Sequence, residues 1–127
     1  PRAIFLVLFA GFAGLACLTG SGCKDSSEAP PANPEQAATQ LQQVFESAPA
    51  EMKKNADIAS AAMKTGDYEK AVVSLQVIRS GDNITLDQGI AIHHSMVALE
   101  ARLVNAMAAG DENARRAYQL LRDMKRN

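Results

Sequence analysis

The chain has 127 residues, with 14 acidic and 13 basic side chains and a formal net charge of −1. Such a balanced charge argues against a nucleic-acid-binding protein, which needs a strongly basic surface. Because there are only two cysteines, a small scaffold held together by several disulfides is excluded.

The first feature along the chain is an uncharged apolar run over residues 3–18 (AIFLVLFAGFAGLACL). As an α-helix it would span about 24 Å, less than the roughly 30 Å hydrocarbon core of a bilayer. Basic Arg2 precedes the run, and small residues follow it. This arrangement is typical of an export signal. We therefore predict a signal peptide over residues 1–22; the alternatives are a retained membrane span that continues to Gly22 and a buried core helix.

Two cysteines lie at the end of this leader. Cys17 is inside the apolar run, whereas Cys23 stands where the chain becomes polar. The four residues 20–23 (GSGC) resemble the lipobox of bacterial lipoproteins, with Gly20 where that family usually has leucine. The resemblance implies cleavage before Cys23 and attachment of lipid to it. Ordinary cleavage near Gly20 or Gly22, and lipid attachment at Cys17, remain the alternatives.

A polar segment then separates the leader from the rest of the chain. Residues 24–33 (KDSSEAPPAN) are small, polar and proline-rich, without apolar periodicity. Such a composition cannot bury enough apolar surface to fold. Extended, ten residues reach roughly 30 Å. We predict that residues 23–33 hold the lipidated Cys23 and a flexible tether.

The remaining residues, 34–127, predict an all-α domain of about five helices arranged as hairpins or a bundle. Apolar residues recur at spacings of three and four, and no segment has the alternation of a strand. Asn33, Asp67, Thr85 and Asp111 are good N-caps. The predicted helices run from about Pro34 to Ser47, Pro49 to Thr65, Asp67 to Ser80, Thr85 to Ala109, and from Asp111 to the end of the chain.

The fourth predicted helix is apolar on two sides. Its first stripe is Ile92, Met96, Leu99, Leu103 and Ala106, and its second is Ile90, Val97, Ala101, Val104 and Ala108. A helix of this kind needs cover on both flanks. We expect the third and fifth helices on one side and the first two helices, or a partner, on the other. The candidate interaction surface is the exposed side of the second and fourth helices, including Arg102 and Asn105.

The turn at residues 64–71 (KTGDYEKA) carries a second resemblance. Together with Ala59, Ala71 and Leu75 at characteristic small and large positions, it makes residues 52–83 similar to a tetratricopeptide unit. The unit departs from the usual pattern at Asn55, Ala62 and Asn83. The resemblance implies a surface that binds proteins or peptides; the alternative is a hairpin that only packs within its own domain.

Candidate chemistry is sparse. His93, His94 and Met96 form the one metal-like cluster, but adjacent helical residues point about 100° apart and do not face one ion together. No set of nucleophile, base and acid is recognisable, and no glycine-rich phosphate loop is present. We therefore predict no enzyme activity, no cofactor and no metal site.

These observations favour a lipid-anchored module of the bacterial cell envelope that faces the periplasm or the exterior. It would act through an unidentified protein partner or through self-association, without nucleic acid. The alternative is a free periplasmic or secreted helical bundle that binds a small ligand or a metal. Measurement of lipid on Cys23 separates the two.

Overall fold

The computed structural model describes residue 31 and residues 33–127. The predicted signal peptide, the lipid-attachment residue Cys23 and most of the predicted tether lie outside the described residues. Within them the chain forms five helices and no strand, which confirms the all-α prediction. The helices are α1 (Pro34–Val44), α2 (Ala50–Thr65), α3 (Tyr68–Arg79), α4 (Leu86–Ala108) and α5 (Glu112–Arg126).

Side-chain caps set the start of four helices. The carboxamide oxygen of Asn33 accepts the Gln36 amide at 2.9 Å, with Pro34 at the first helical position. At α4 the cap is reciprocal: the Thr85 hydroxyl accepts the Gln88 amide, and the Gln88 side chain accepts the Thr85 amide. Such bonds satisfy amides that have no partner within the helix. In the same way Asp67 and Asp111 cap α3 and α5.

Left-handed residues end two of the helices and the turn after a third. Gly66 (φ 77°) closes α2, and Gly110 (φ 90°) follows α4. A side chain is unfavourable at these angles, so glycine suits both positions. After α3 the left-handed residue is Asn83 (φ 60°), in the turn that leads to α4. The first helix ends at Val44, three residues before the predicted end at Ser47.

The helices form a closed ring. Around it, α1 packs against α2 and α4, while α5 packs against α3 and α4. The two-residue turn after α2 folds α3 back into a hairpin, and α3 also contacts α4 across the middle. α2 makes no substantial contact with α4, because α1 lies between them. We expected the first two helices to cover one side of α4. Of the two, only α1 does so.

The core inside the ring is rich in alanine. Its largest fully buried side chain is Phe45 of the turn after α1, and nearly half of the buried apolar residues are alanines. Alanine lets helix backbones approach closely but buries little apolar surface per residue. The first predicted stripe of α4, which we call the inner stripe, points into the core with Ile92, Met96, Leu99 and Leu103.

Two polar residues of α4 also face inward. Gln88 is buried as part of the reciprocal cap. Ser95 is fully buried, and its hydroxyl has no hydrogen-bond partner among the described residues. A second fully buried serine, Ser60 of α2, donates its hydroxyl to the Ala38 carbonyl at 2.9 Å. The two serines are therefore equally buried but differently satisfied.

Leu99→Ala should lower the free energy of unfolding by about 2–5 kcal/mol, because it leaves a cavity at a fully buried position. Glu100→Ala is the neighbouring control. Its side chain is 31% exposed and pairs with Lys125 at the surface, so its loss should cost less than about 1 kcal/mol. Urea unfolding followed by circular dichroism measures both. Equal losses would show that the inner stripe is misassigned.

The two serines make a matched pair for a second test. Ser60→Ala should destabilise the domain by about 1 kcal/mol, since it removes a satisfied buried hydrogen bond. Ser95→Ala should be neutral or stabilise by about 1 kcal/mol, since it removes an unsatisfied buried hydroxyl. Both changes gain the same helix propensity, so the difference between the two unfolding free energies reports the hydrogen bonding. A larger loss for Ser95→Ala would contradict the assignment.

Candidate interaction surfaces

The second predicted stripe of α4, which we call the outer stripe, is exposed to solvent. In the described part of the chain, it is the largest run of exposed apolar side chains along one helix. Ile90 is 40% exposed, and Val97 and Val104 are each 46% exposed. Ala101 and Ala108 of the predicted second stripe are exposed as well. Leu86, at the first turn, is 79% exposed. The stripe that was expected to be covered is therefore open to solvent.

Its two edges are fixed by neighbouring helices. On one edge, His94 Nδ1 lies 3.1 Å from Gln40 Oε1 of α1. On the other edge, Glu100 forms an ion pair with Lys125 of α5. Helices α1 and α5 therefore flank α4 on its two sides. The solvent-facing side of α4 between them, which we call the crest, is formed by Leu86, Ile90, His93, Val97, Ala101, Val104 and Ala108.

Arg102 lies on the α1 side of this ridge and is already engaged. Its guanidinium is 3.4 Å from the Glu35 carboxylate of α1. A hydrogen bond with Tyr68 and the charge of Glu35 raise the pKa of Arg102 above its ordinary value. The guanidinium of α4 thus interacts with residues of α1 and α3. A partner that binds Arg102 would have to compete with Glu35. Arg102 is therefore better described as a border of the outer stripe than as an anchor for a partner.

Asn105 also lies on the α1 side of α4 and is exposed. Arg102 and Asn105 thus both border the outer stripe, while the apolar residues that could anchor a partner are on the crest. In the sequence, the signal for this crest was the second apolar stripe of the fourth predicted helix, from Ile90 to Ala108. The periodicity could not say which of the two apolar sides would be covered.

A second surface, which we call the α2 groove, was not predicted in detail. It is an open groove of about 650 Å³ along the outer side of α2 and the start of α3. Its apolar floor includes Ile58, and three lysines line it without an ion pair in the described part of the chain: Lys53, Lys54 and Lys70. In the sequence, the i, i+4 spacing of Lys54 and Ile58 places both on one side of α2 and was the available signal for this groove. The lining from the start of α3 depends on how the two helices pack, which the sequence pattern does not show.

The acidic residues of the α2 groove have internal partners. Asp57 accepts a hydrogen bond from the Gln42 side chain, and Asp67 caps α3 by accepting the Lys70 amide. These bonds come from neutral amides, so both carboxylates keep their charge, and the lining has three ammonium groups against two carboxylates. This groove suits an anionic molecule with an apolar part.

The two histidines do not form a shared site. Their ring centroids are 6.3 Å apart, with planes tilted by 48°. His94 turns toward Gln40 of α1, whereas His93 borders a separate groove of about 490 Å³ together with Met96, Arg79 and Lys125. Among the described residues, no group of three or more histidine, cysteine or acidic side chains could hold a metal ion.

In comparisons with known proteins, no family model, curated protein or solved structure matches the chain. Over the residues that the structure describes, no helix has both the length and the apolar character needed to cross a membrane.

Proposed function

We propose that this protein is a membrane-tethered, extracytoplasmic helical module of a bacterial cell envelope that acts through protein contacts and has no catalytic activity of its own. The observation that carries the proposal is the uncovered apolar stripe on α4. Monomeric soluble proteins rarely leave contiguous apolar patches larger than a few hundred Å² without a use. The crest of α4 supplies the apolar anchors, and Arg102 and Asn105 supply a polar border.

The anchoring part of the proposal rests on the sequence. The apolar run over residues 3–18 ends at a small-residue junction with Cys23. Acyl chains on that cysteine would hold the protein at a bilayer, because each buried methylene contributes about 0.8 kcal/mol. The tetratricopeptide-like hairpin of α2 and α3 is in keeping with a protein-binding role.

The native protein should therefore begin at Cys23 and carry acyl chains, as intact mass would reveal. Cys23→Ala should lose the acyl mass and move from the membrane fraction to the soluble fraction, or retain its leader. Cys17→Ala is the matched control and should leave both mass and fractionation of the mature protein unchanged. A native protein that still contains residues 1–22 would contradict this prediction.

A photoreactive residue at position 97 tests the contact surface in native membranes. We expect protein adducts from position 97 and few from position 73. Val73 is a suitable control because it is 49% exposed and lies on α3, away from the crest of α4. Adducts at equal yield from both positions would mean that the stripe has no special partner.

A second candidate function, a free helical bundle that binds a small ligand, is favoured by the α2 groove. Its volume of about 650 Å³ lies within the usual range for small-molecule sites. If this function is the real one, a fluorescent anionic amphiphile should bind the protein. Ile58→Glu, which adds negative charge to the floor, should weaken that binding at least tenfold, whereas Val73→Glu should not. Unchanged binding in Ile58→Glu would remove this candidate.

A further inference from the structure

We propose that the partner of the α4 crest is the same crest on a second copy of this chain. The two α4 helices run antiparallel, and a two-fold axis passes beside Val97. This inference rests on the proposed protein-contact function and names the partner for it. Four features of α4 support it: the extent of the crest, the order of its residues, its flanks and the position at which the chain enters the domain.

The crest is a narrow strip that runs the full length of α4. With successive residues about 100° apart around a helix, seven exposed residues fall within a sector about 80° wide centred on Val97. Six of the seven are apolar. In chain order, they are Leu86, Ile90, His93, Val97, Ala101, Val104 and Ala108.

Val97 is the midpoint of α4, and the strip is self-complementary about it. An antiparallel pair centred there brings Ile90 level with Val104 of the second copy. Leu86 comes level with Ala108, and His93 with Ala101. In each of these levels a larger side chain meets a smaller one, which allows the two helices to pack at an even separation. One surface that matches itself is what a two-fold dimer requires.

A parallel pair would lack this match. It would set Leu86 against Leu86 and Ala101 against Ala101, so that the helices would be held apart at one level and leave a gap at another. It would also set the two His93 rings at one level. Side-chain size therefore favours the antiparallel arrangement.

The flanks of the crest leave room for a second helix. Arg102 and Glu100 on its two sides are held by Glu35 and Lys125 of their own chain. These ion pairs keep four charges alongside their own subunit and away from the apolar strip. Association of two crests therefore need not bury an unpaired charge, which would be costly.

Chain entry is also compatible with two copies on one membrane. The Glu35–Arg102 pair places the start of α1 near residue 102, five residues from the proposed axis. In the antiparallel dimer the two entry points would be separated by about 15 Å along the helix direction. A ten-residue extended tether reaches roughly 30 Å, so both copies can reach the same surface.

The dimer should be weak in solution. A standard interface uses about 20–30 residues from each partner, and the crest offers far fewer. We expect dissociation in the micromolar range or above. Confinement to a membrane would raise the effective concentration and favour the dimer.

Cysteine crosslinking tests both the partner and its direction. The full chain, with Cys17→Ser and Cys23→Ser so that no native thiol remains, is purified in mild detergent and oxidised. Val97→Cys should give a covalent dimer at least tenfold more efficiently than Val73→Cys. Ile90→Cys alone should crosslink poorly, because its two copies would be about 21 Å apart along the axis. A mixture of Ile90→Cys and Val104→Cys chains should crosslink well.

Sedimentation provides a second readout that needs no thiol. Val97→Glu in the same background should weaken dimerisation at least tenfold while the helical circular dichroism spectrum is retained, and Val73→Glu should leave dimerisation unchanged. Efficient crosslinking of Ile90→Cys alone would overturn the antiparallel direction. Equal crosslinking of Val97→Cys and Val73→Cys would overturn the second copy as partner.

These outcomes are separate from those for the wider proposal. If the chain stays monomeric but position 97 still forms adducts with a different protein in native membranes, the dimer is refuted and the protein-contact function survives. If position 97 forms no adduct in membranes and no dimer in solution, both fail. If the native protein carries no lipid on Cys23 but the crest residues still crosslink as expected, the dimer stands and the anchor is refuted.

Discussion

The structure depends on how much of one long helix its neighbours can cover. α4 is apolar on two sides, and only three of the four shorter helices, α1, α3 and α5, pack against it. α3 lies against its inner side, while α1 and α5 lie along its flanks. Because α2 packs beyond α1, it contributes nothing substantial to covering α4. The helix that organises the core is therefore also the one that presents an apolar crest to solvent.

The alanine-rich core follows from the same arrangement. Helices that converge on a common neighbour from several sides must approach closely, and alanine permits this. Few large side chains then remain to supply burial energy, so the helix caps and the cross-helix contacts matter more. Arg79 illustrates such a contact, because it donates a hydrogen bond to the Met124 carbonyl near the end of α5. A domain of this size whose core holds few large side chains has little stability to spare.

Local chemistry in the sequence was enough to predict five helices and the inner stripe. Caps such as Thr85 with Gln88, and a left-handed stop such as Gly66, act within a few residues and can be recognised without a structure. The fate of the outer stripe depends on which distant helices meet, so periodicity could not decide it. Ser95 shows the same limit: its side chain is polar, but its angular position on α4 puts it in the core. The α2 groove, shared by two helices, likewise required the tertiary arrangement.

The tether and the crest support each other physically in the proposed arrangement. A strip one helix wide binds weakly, and a freely diffusing protein at low concentration would seldom use it. A lipid anchor would confine copies to one surface and raise their effective concentration there, which favours association. A modest, self-complementary strip then suffices, and it has the advantage of remaining reversible. In the proposed arrangement, a crest this narrow would pair mainly where copies are concentrated on one surface.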